Sequence, residues 1–317
     1  MMEHMSFEVK ENIPLSGYSV FKIGGPARYF AIVHNEEDLL DVLCRAKEKN
    51  LPVFILGAGS NILASDKGFP GLVVKMDLQG LYAAEGGKLT AESGVSMARA
   101  VSESVKAGRT GFEWAIGVPG TIGGSVRGNA GCFGEEMKDV VSRVAVLDRF
   151  SLLKSVLTNG DCRFGYRDSL FKHNPNFVIL SAILELAKGD ALESQKKILE
   201  YSATRSKKQD IGAKSAGCIF KNVEWARIDR EAVTKEFPGL LQFMAHPSIP
   251  AAYLIDQAGL KGKKIGKVFV SPKHANYIVN EGGGSADEVM QLIAVIKEYV
   301  HRKYNIMLEE EIQLVGF

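Results

Sequence analysis

Apolar residues recur along this chain at two spacings, and the switches between them mark its elements. Leu39, Val42, Leu43 and Ala46 fall at helical spacing behind Asn35, a side chain suited to capping, with Asp38 at the third helical position. Pro52 to Leu56 is a short apolar run and predicts a buried strand that leads straight into Gly57-Ala58-Gly59-Ser60-Asn61. Leu72 to Met76 and Leu89 to Ser93 predict two further strands, and Met97, Val101 and Val105 predict a helix that stops near Gly108. Glycine-rich loops are expected from Gly117 to Gly134, then strands at Val144 to Leu147 and Phe177 to Leu186.

Leu192 to Lys208 reads as a polar, basic helix, and the shift in composition after it predicts a domain boundary. Beyond it, Ser215 to Asn222 predicts a strand, Ala251 to Gln257 a short helix closed by Gly259, and Tyr277 to Val279 another strand. Ser285 and Glu288 form a capping box for a helix whose apolar face is Val289, Leu292, Ile293, Ile296 and Val300. Met307 to Val315 predicts a last strand. The chain shows no repeats and no low-complexity tract. This mixture predicts an α+β protein of two or three lobes.

Composition narrows the function more than the fold. At roughly 100–200 residues per domain, the length suggests two or three domains. Hydrophobic residues make up 46% and charged residues 24%, ordinary for a globular protein. A formal net charge of +2 gives no general affinity for polyanions, so no nucleic-acid partner is expected. Cys44, Cys132, Cys162 and Cys218 include no close CxxC pair and fit a reducing cytoplasm better than a disulfide framework. Met1 to Lys10 has acidic residues and no apolar run, so it does not read as a secretory signal. No stretch approaches the ~20 apolar residues of a membrane span, so the protein is expected to work in solution.

Two glycine loops are the first chemical signal. Gly57-Ala58-Gly59-Ser60-Asn61 follows a strand as a dinucleotide loop does, but Ile62 stands where a Rossmann fingerprint has its third glycine. There is no GK[ST] loop. The second loop is Gly117-Val118-Pro119-Gly120-Thr121-Ile122-Gly123-Gly124, continued by Gly128-Asn129-Ala130-Gly131. Glycines let backbone amides approach an anion closely, and consecutive amides can cradle a pyrophosphate. Each loop alone is better read as a turn in a glycine-rich scaffold; the two together make a diphosphate cofactor more plausible without identifying it.

The ordered blocks go further. Leu56 to Leu63 and Gly117 to Gly124 through Asn129-Ala130-Gly131 resemble the two FAD-binding signatures of the UDP-N-acetylenolpyruvoylglucosamine reductase (MurB) family. Phe164-Gly165-Tyr166-Arg167-Asp168-Ser169 and Ser215-Ala216-Gly217-Cys218-Ile219-Phe220-Lys221-Asn222 resemble its next two blocks. Ala252 to Gly262, Ser271-Pro272-Lys273-His274-Ala275-Asn276-Tyr277 and Leu308-Glu309-Glu310-Glu311-Ile312 follow in the expected order, and Phe21-Lys22-Ile23-Gly24-Gly25 matches near the start. The short gap from Leu186 to Ser215 leaves little room for the tyrosine-bearing loop of the longer class, so the chain resembles the shorter, type II class.

The resemblance implies an FAD-binding domain of the p-cresol methylhydroxylase/vanillyl-alcohol oxidase type, with lobes at 1–77 and 78–205, and a C-terminal α+β substrate domain at 206–305. The strand within 306–317 is expected to return to the first lobe. It also implies a monomer that carries non-covalent FAD and uses NADPH as reductant. A hydride reaches the enolpyruvyl group of UDP-N-acetylglucosamine enolpyruvate, and protonation of the adjacent carbon yields UDP-N-acetylmuramate, a peptidoglycan precursor. FAD contacts are expected from Gly57, Ala58, Gly59, Ser60, Asn61, Gly120, Thr121, Gly123, Gly124, Asn129 and Gly131; substrate contacts from Tyr166, Lys208 and Asn222; no metal ligand is expected.

Hydride addition leaves negative charge beside a carboxylate, so a cation and a proton donor must converge there. By resemblance Arg167 and Glu311 polarise or stabilise that centre. The donor position, a serine in most of the family, is Cys218 here. A thiol, with an ordinary pKa of about 8.5, is a stronger acid than an alcohol, but it must stay protonated until turnover. Each residue also has a plainer reading: Cys218 as a packed strand residue, Arg167 as an ion-pair partner of Asp168, and the three glutamates as solvated. If Ser215 to Asn222 is a strand, Cys218, Phe220 and Asn222 share a face; if Met307 to Val315 is one, Glu309, Glu311 and Gln313 do. Only the family register picks Glu311, and Glu310 replaces a family proline. Arg205, Lys207 and Lys208 can meet a diphosphate or merely form a solvated helix face. His274 is given no role. Two other readings stay open: a different FAD oxidase or dehydrogenase, and a nucleotide-sugar binder that has lost catalysis.

Overall fold

In the computed structural model, residues 8–210 and 212–317 are described, apart from the side chains of Glu85 and Lys208. By contact the chain separates into two units. One takes in the chain up to Ile13, Ala27–Gly59 and Phe69–Lys207; the other takes in Pro14–Pro26, Ser60–Gly68 and Lys208–Phe317.

The first unit is built on two larger sheets. Val9–Pro14, Pro26–Val33, Phe69–Met76 and Val53–Leu56 lie side by side in that order, and Phe69–Met76 runs parallel to both Pro26–Val33 and Val53–Leu56. The helix Glu36–Glu48 links two of these strands. Asn35 caps it by accepting the Asp38 N–H at 2.8 Å, worth about 1 kcal/mol. Its stripe of Leu39, Val42, Leu43 and Ala46 is buried with Leu72, Val74 and Met76, as the periodicity predicts. The second sheet has five antiparallel strands in the order Lys154–Thr158, Val141–Asp148, Phe177–Glu185, Lys88–Glu92 and Leu81–Ala83. The helix Met97–Lys106 buries Met97, Ala100, Val101 and Val105, the first three in a cluster that includes Phe112, Trp114 and the sheet residues Val144 and Ala182. The helix Ala191–Lys208 closes the unit.

The expectation of loops throughout Gly117 to Gly134 is corrected: Ile122–Gly128 is a helix. Three glycines, each costing about 1 kcal/mol against alanine, hide it from propensity. Packing supplies the difference. Ile122 and Val126 are fully buried, Thr121 sits at the N-cap, and Asn129 ends the helix in the left-handed region at φ 43°. A Cβ on Gly123 would come within 2.8 Å of the Ser93 Cβ, so only glycine lets the helix lie this close to that chain.

The second unit gathers segments distant in sequence. Gln313–Val315 runs parallel to Ile62–Ala64. Lys264–Ile265, Val268–Val270 and Ile278–Asn280 form an antiparallel sheet. The helix Ala286–Tyr304 starts at the predicted capping box and buries Val289, Leu292, Ile293, Ile296 and Val300 in a core with Phe220, Leu254 and Ile255. Two strand expectations are corrected. Ser215 to Asn222 is not a strand: it makes only isolated bridges, Cys218 with Tyr277 and Phe220 with Glu310. Gly217 adopts φ +78°, which breaks an extended run. Of Met307 to Val315, only Gln313–Val315 is a regular strand.

Candidate active site

The expected cofactor loops meet in the first unit. A Cβ on Gly57 would lie 2.9 Å from Thr121 Oγ1, so the first glycine loop packs directly on the cap of the Ile122–Gly128 helix. Gly59 ends a segment of this unit and takes φ +66°. Not every amide of the second loop faces outward. Ile122 and Gly123 donate to the Val95 and Ser93 carbonyls at 2.8 and 3.0 Å, and Gly124 reaches Thr121 Oγ1 at 3.4 Å. Asn129 is wholly buried, and its amide is spent inside the protein: Nδ2 donates to Glu136 Oε2 and the Gly165 carbonyl, both at 2.8 Å, and Oδ1 accepts the Lys138 N–H at 2.9 Å.

That Gly165 bond ties the loop to a tight hairpin. Gly165 and Asp168 exchange backbone hydrogen bonds at 3.0 and 3.1 Å, leaving Tyr166 and Arg167 at the tip. Arg167 sits at φ +53°, a region that costs a residue with a Cβ about 1–2 kcal/mol. Its Nη2 donates to the Gly131 carbonyl at 2.8 Å, and its guanidinium lies 5.5 Å from the Tyr166 ring centre. The Asp168 carboxylate holds His173 at 2.8 Å and accepts the Ser169 N–H at 2.9 Å. Burial alone would raise the Asp168 carboxyl, but these bonds outweigh it and the group lies below its ordinary value.

Cys218 and Glu311 are brought together in the second unit. The Glu311 N–H donates to the Ile219 carbonyl at 2.7 Å, and Lys221 donates to the Glu309 carbonyl at 2.9 Å, so the glutamate run lies against the cysteine segment. Asn61 joins them by donating from Nδ2 to the Glu311 carbonyl at 3.1 Å. The glutamates are not equivalent. Glu309 pairs with Lys221 at 2.5 Å and Arg227 at 2.6 Å, and Glu310 pairs with Lys297 at 2.9 Å. Glu311, half-buried, is the one whose backbone is joined to the residue after Cys218. The lysine partner holds the Glu309 carboxyl below its ordinary value, against a smaller push upward from burial.

The remaining candidates fall out as follows. Asn222 does not share a strand face with Cys218; its Oδ1 accepts the Ala251 N–H at 3.2 Å, at the start of the helix Ala251–Gln257. Lys208 ends the helix Ala191–Lys208, and its side chain lies outside the described residues. His274 packs against Tyr277 with the rings tilted by 44° and their centres 4.4 Å apart, and burial lowers its imidazole below the ordinary value. Burial pushes the Cys162 thiol up to about 11, which makes it an inert packing residue.

Arg205 tests whether these residues suit the expected cofactor. Its Nη1 donates to Cys132 Sγ at 3.3 Å, while its Nε is buried without a hydrogen-bond partner. A Cβ on Gly117 would lie 3.2 Å from that Nε, so a buried cationic donor stands at the start of the second glycine loop. An unmet buried donor of this kind is costly unless an acceptor reaches it. The donor and the close-packed glycines fit the anionic diphosphate of FAD. Gly57, Thr121 and Arg205 could hold it.

Comparison with known proteins agrees with this arrangement. Residues 209–315 match the C-terminal domain of UDP-N-acetylenolpyruvoylglucosamine reductase, and residues 27–150 match an FAD binding domain. The UDP-N-acetylenolpyruvoylglucosamine reductase of Caldanaerobacter subterraneus subsp. tengcongensis is 36% identical over 96% of this chain and 93% of its own length. That of Synechococcus sp. (strain JA-3-3Ab) is 35% identical over 98% of this chain and 93% of its own. The crystal structure of the Thermus caldophilus enzyme (MurB) superposes with a TM-score of 0.78 at 29% identity, covering 98% of this chain and 99% of that one. The chain belongs to the UDP-N-acetylenolpyruvoylglucosamine reductase family.

Proposed function

We propose that this chain reduces UDP-N-acetylglucosamine enolpyruvate to UDP-N-acetylmuramate, with NADPH as reductant, in peptidoglycan precursor synthesis, and that Cys218 supplies the proton. It is an FAD-dependent oxidoreductase. FAD, when bound, supplies the hydride that it draws from NADPH. The chain supplies position, charge and the proton. The observation that carries the reading is the hydrogen bond from Glu311 to Ile219, which sets the family's acidic residue beside the thiol-bearing segment.

Arg167 provides fixed positive charge for the negative charge that develops in the transition state, and Glu311 polarises the reacting group. Cys218 gives its Sγ proton to the carbon next to the one that receives the hydride, and the thiolate is reprotonated from solvent before the next turnover. Tyr166, Lys208 and Asn222 contact the substrate. Residues 1–77 and 78–205 bind FAD, residues 206–305 bind substrate, and the protein works as a monomer in the cytoplasm. Among the described residues no helix is long and apolar enough to cross a membrane, and none of the four cysteines forms a disulfide.

The purified protein should be yellow, and acid precipitation should release FAD into the supernatant. NADPH should bleach the flavin, and the enolpyruvyl substrate should restore the colour without oxygen. Flavin that stays with the precipitate, or rapid oxygen consumption with no effect of substrate, would point to a different flavoenzyme.

A further inference from the structure

The segment that carries Cys218 is held without a continuous strand partner. Its backbone bridges are one residue long, and Gly217 at φ +78° turns the chain just before the thiol. Between the two bridges a side chain takes the place of a strand. Asn276 Oδ1 accepts the Phe220 N–H at 3.0 Å, and Asn276 Nδ2 donates to the Phe220 carbonyl at 2.8 Å. The Asn276 carbonyl accepts the Ile219 N–H at 2.9 Å, and the next residue, Tyr277, bridges Cys218 itself. Both Asn276 and Phe220 are buried, with relative exposures of 2% and 1%.

A primary amide is the side chain that presents a donor and an acceptor together, as a peptide group does. Where water cannot substitute, losing it leaves two backbone groups of Phe220 unsatisfied. The segment then has to shift or twist to find partners, and the thiol moves with it. A shift of ~1 Å at a reacting group is enough to slow a reaction about 100-fold.

We propose that Asn276 is a positioning residue for Cys218: its amide stands in for a β-strand and fixes the direction of the thiol during proton transfer. The proposal rests on the reading of Cys218 as donor. The bonds that Asn276 makes to this segment run to the Ile219 and Phe220 backbone, and through that backbone it acts on the thiol.

The test uses the FAD-loaded enzyme with Asn276→Ala and Asn276→Asp, each alone and combined with Cys218→Ala. Stopped-flow absorbance follows bleaching by NADPH and reoxidation by the enolpyruvyl substrate, and peptide mass spectrometry follows alkylation of Cys218 by iodoacetamide. Asn276→Ala should bleach normally, reoxidise about 100-fold more slowly, and alkylate at Cys218 faster than the parent. In the Cys218→Ala background the same change should add nothing further, as expected when two residues act through one step. Asn276→Asp should be slow at high pH, where its carboxylate repels the Phe220 carbonyl. It should recover relative to the parent as pH falls, because the protonated carboxyl again donates and accepts. If Asn276→Ala loses FAD altogether, the pH series on Asn276→Asp decides the matter, and a flat profile there overturns the proposal. An undiminished Asn276 effect in the Cys218→Ala background, or unchanged reoxidation in Asn276→Ala, also overturns it. Reoxidation of Cys218→Ala at the parental rate would sink the donor reading itself, an outcome separate from these.

Discussion

Arg167 and Cys218, the two side chains assigned to the chemistry, are held by opposite means. Arg167 stands on a hairpin whose backbone bonds close within three residues, Gly165 to Asp168. Its conformation is locally strained at φ +53°, and the strain is held by ties to the glycine loop through Asn129 and Gly131. Cys218 sits in a segment with little local order. Its neighbours Ile219, Phe220 and Lys221 are fixed by Asn276, Glu309 and Glu311, all more than fifty residues away. The proposed charge is thus set by a short strained turn, and the proposed proton donor by the assembled fold. The first arrangement concentrates its cost at one residue; the second spreads dependence over many.

The largest expected effect comes from breaking the assembled side. Cys218→Ala should let NADPH bleach the flavin at a near-normal rate while reoxidation by substrate falls by ~10²–10⁴-fold, the range for loss of a general acid. Cys218→Ser should recover much of that loss, because serine is the usual family residue and the shapes are close. Alkylation of Cys218 should mimic the alanine variant. If Cys218→Ala reoxidises as fast as the parent, the thiol is a packing residue and the donor lies elsewhere.

Next is the strained side. Arg167→Met should keep FAD and fold but lose most reduction of the enolpyruvyl group, on the order of 10²-fold or more for one group that stabilises developing charge. Arg167→Gly should lose it equally, yet be more stable than Arg167→Met by about 1 kcal/mol, since glycine alone adopts φ +53° without strain. Chemical denaturation compares the two directly. Equal stability would mean that the hairpin is not strained in solution; unchanged turnover in either variant would make Arg167 a structural residue.

This contrast also explains what could be read from the sequence. The Asn35 cap and the Leu39, Val42, Leu43 and Ala46 stripe were legible because they depend on residues within one helix. So was the capping box of Ser285 and Glu288. The Ile122–Gly128 helix was not, because its glycines argue against a helix and the burial of Ile122 and Val126 that overrides them is tertiary. The Cys218 segment reads as a strand in sequence because Cys218-Ile219-Phe220 is a short apolar run, and its partners at 276 and 309–311 are invisible locally. The ordered motifs supplied Arg167, Cys218 and Glu311 as candidates. The family register alone picked Glu311 among the three glutamates; the coordinates add that Glu309 and Glu310 pair with cations.

A smaller effect follows from the Glu309 anchor. Its carboxyl is depressed in the folded state, so it contributes stability above the unfolded glutamate value of about 4.3. That contribution is lost as pH falls through the depressed folded value. The side chain is about half exposed, at 49%, so solvent screening limits the gain to less than about 1 kcal/mol. Glu309→Gln should therefore lower the melting temperature slightly at pH 7 and not at all well below pH 4. An equal loss at both pH values would show that shape, not charge, is what Glu309 supplies.

Glu310→Pro, which installs the usual family residue, should have the smallest effect. In the bridge between Phe220 and Glu310, the bonds run from Lys221 N–H to the Glu309 carbonyl and from Glu311 N–H to the Ile219 carbonyl. This pattern turns the Glu310 N–H away from the cysteine segment, so a residue that lacks that donor fits. Proline also restricts the preceding residue to extended conformations, which suits Glu309 in a β-bridge segment. It should gain about 0.4–1 kcal/mol by narrowing the unfolded ensemble. Against this stands the Glu310 pair with Lys297, whose side chains are each 28% exposed and which is worth about 0–1 kcal/mol. The two contributions nearly cancel. Glu310→Pro should therefore stay within about 1 kcal/mol of the parent, with both flavin half-reactions unchanged. A large loss of stability would mean that the Glu310 N–H has an essential partner. A slow reoxidation with normal bleaching would be more informative, because it would show that moving residue 310 moves Cys218, and that the assembled side of the site depends on the glutamate run as much as on Asn276.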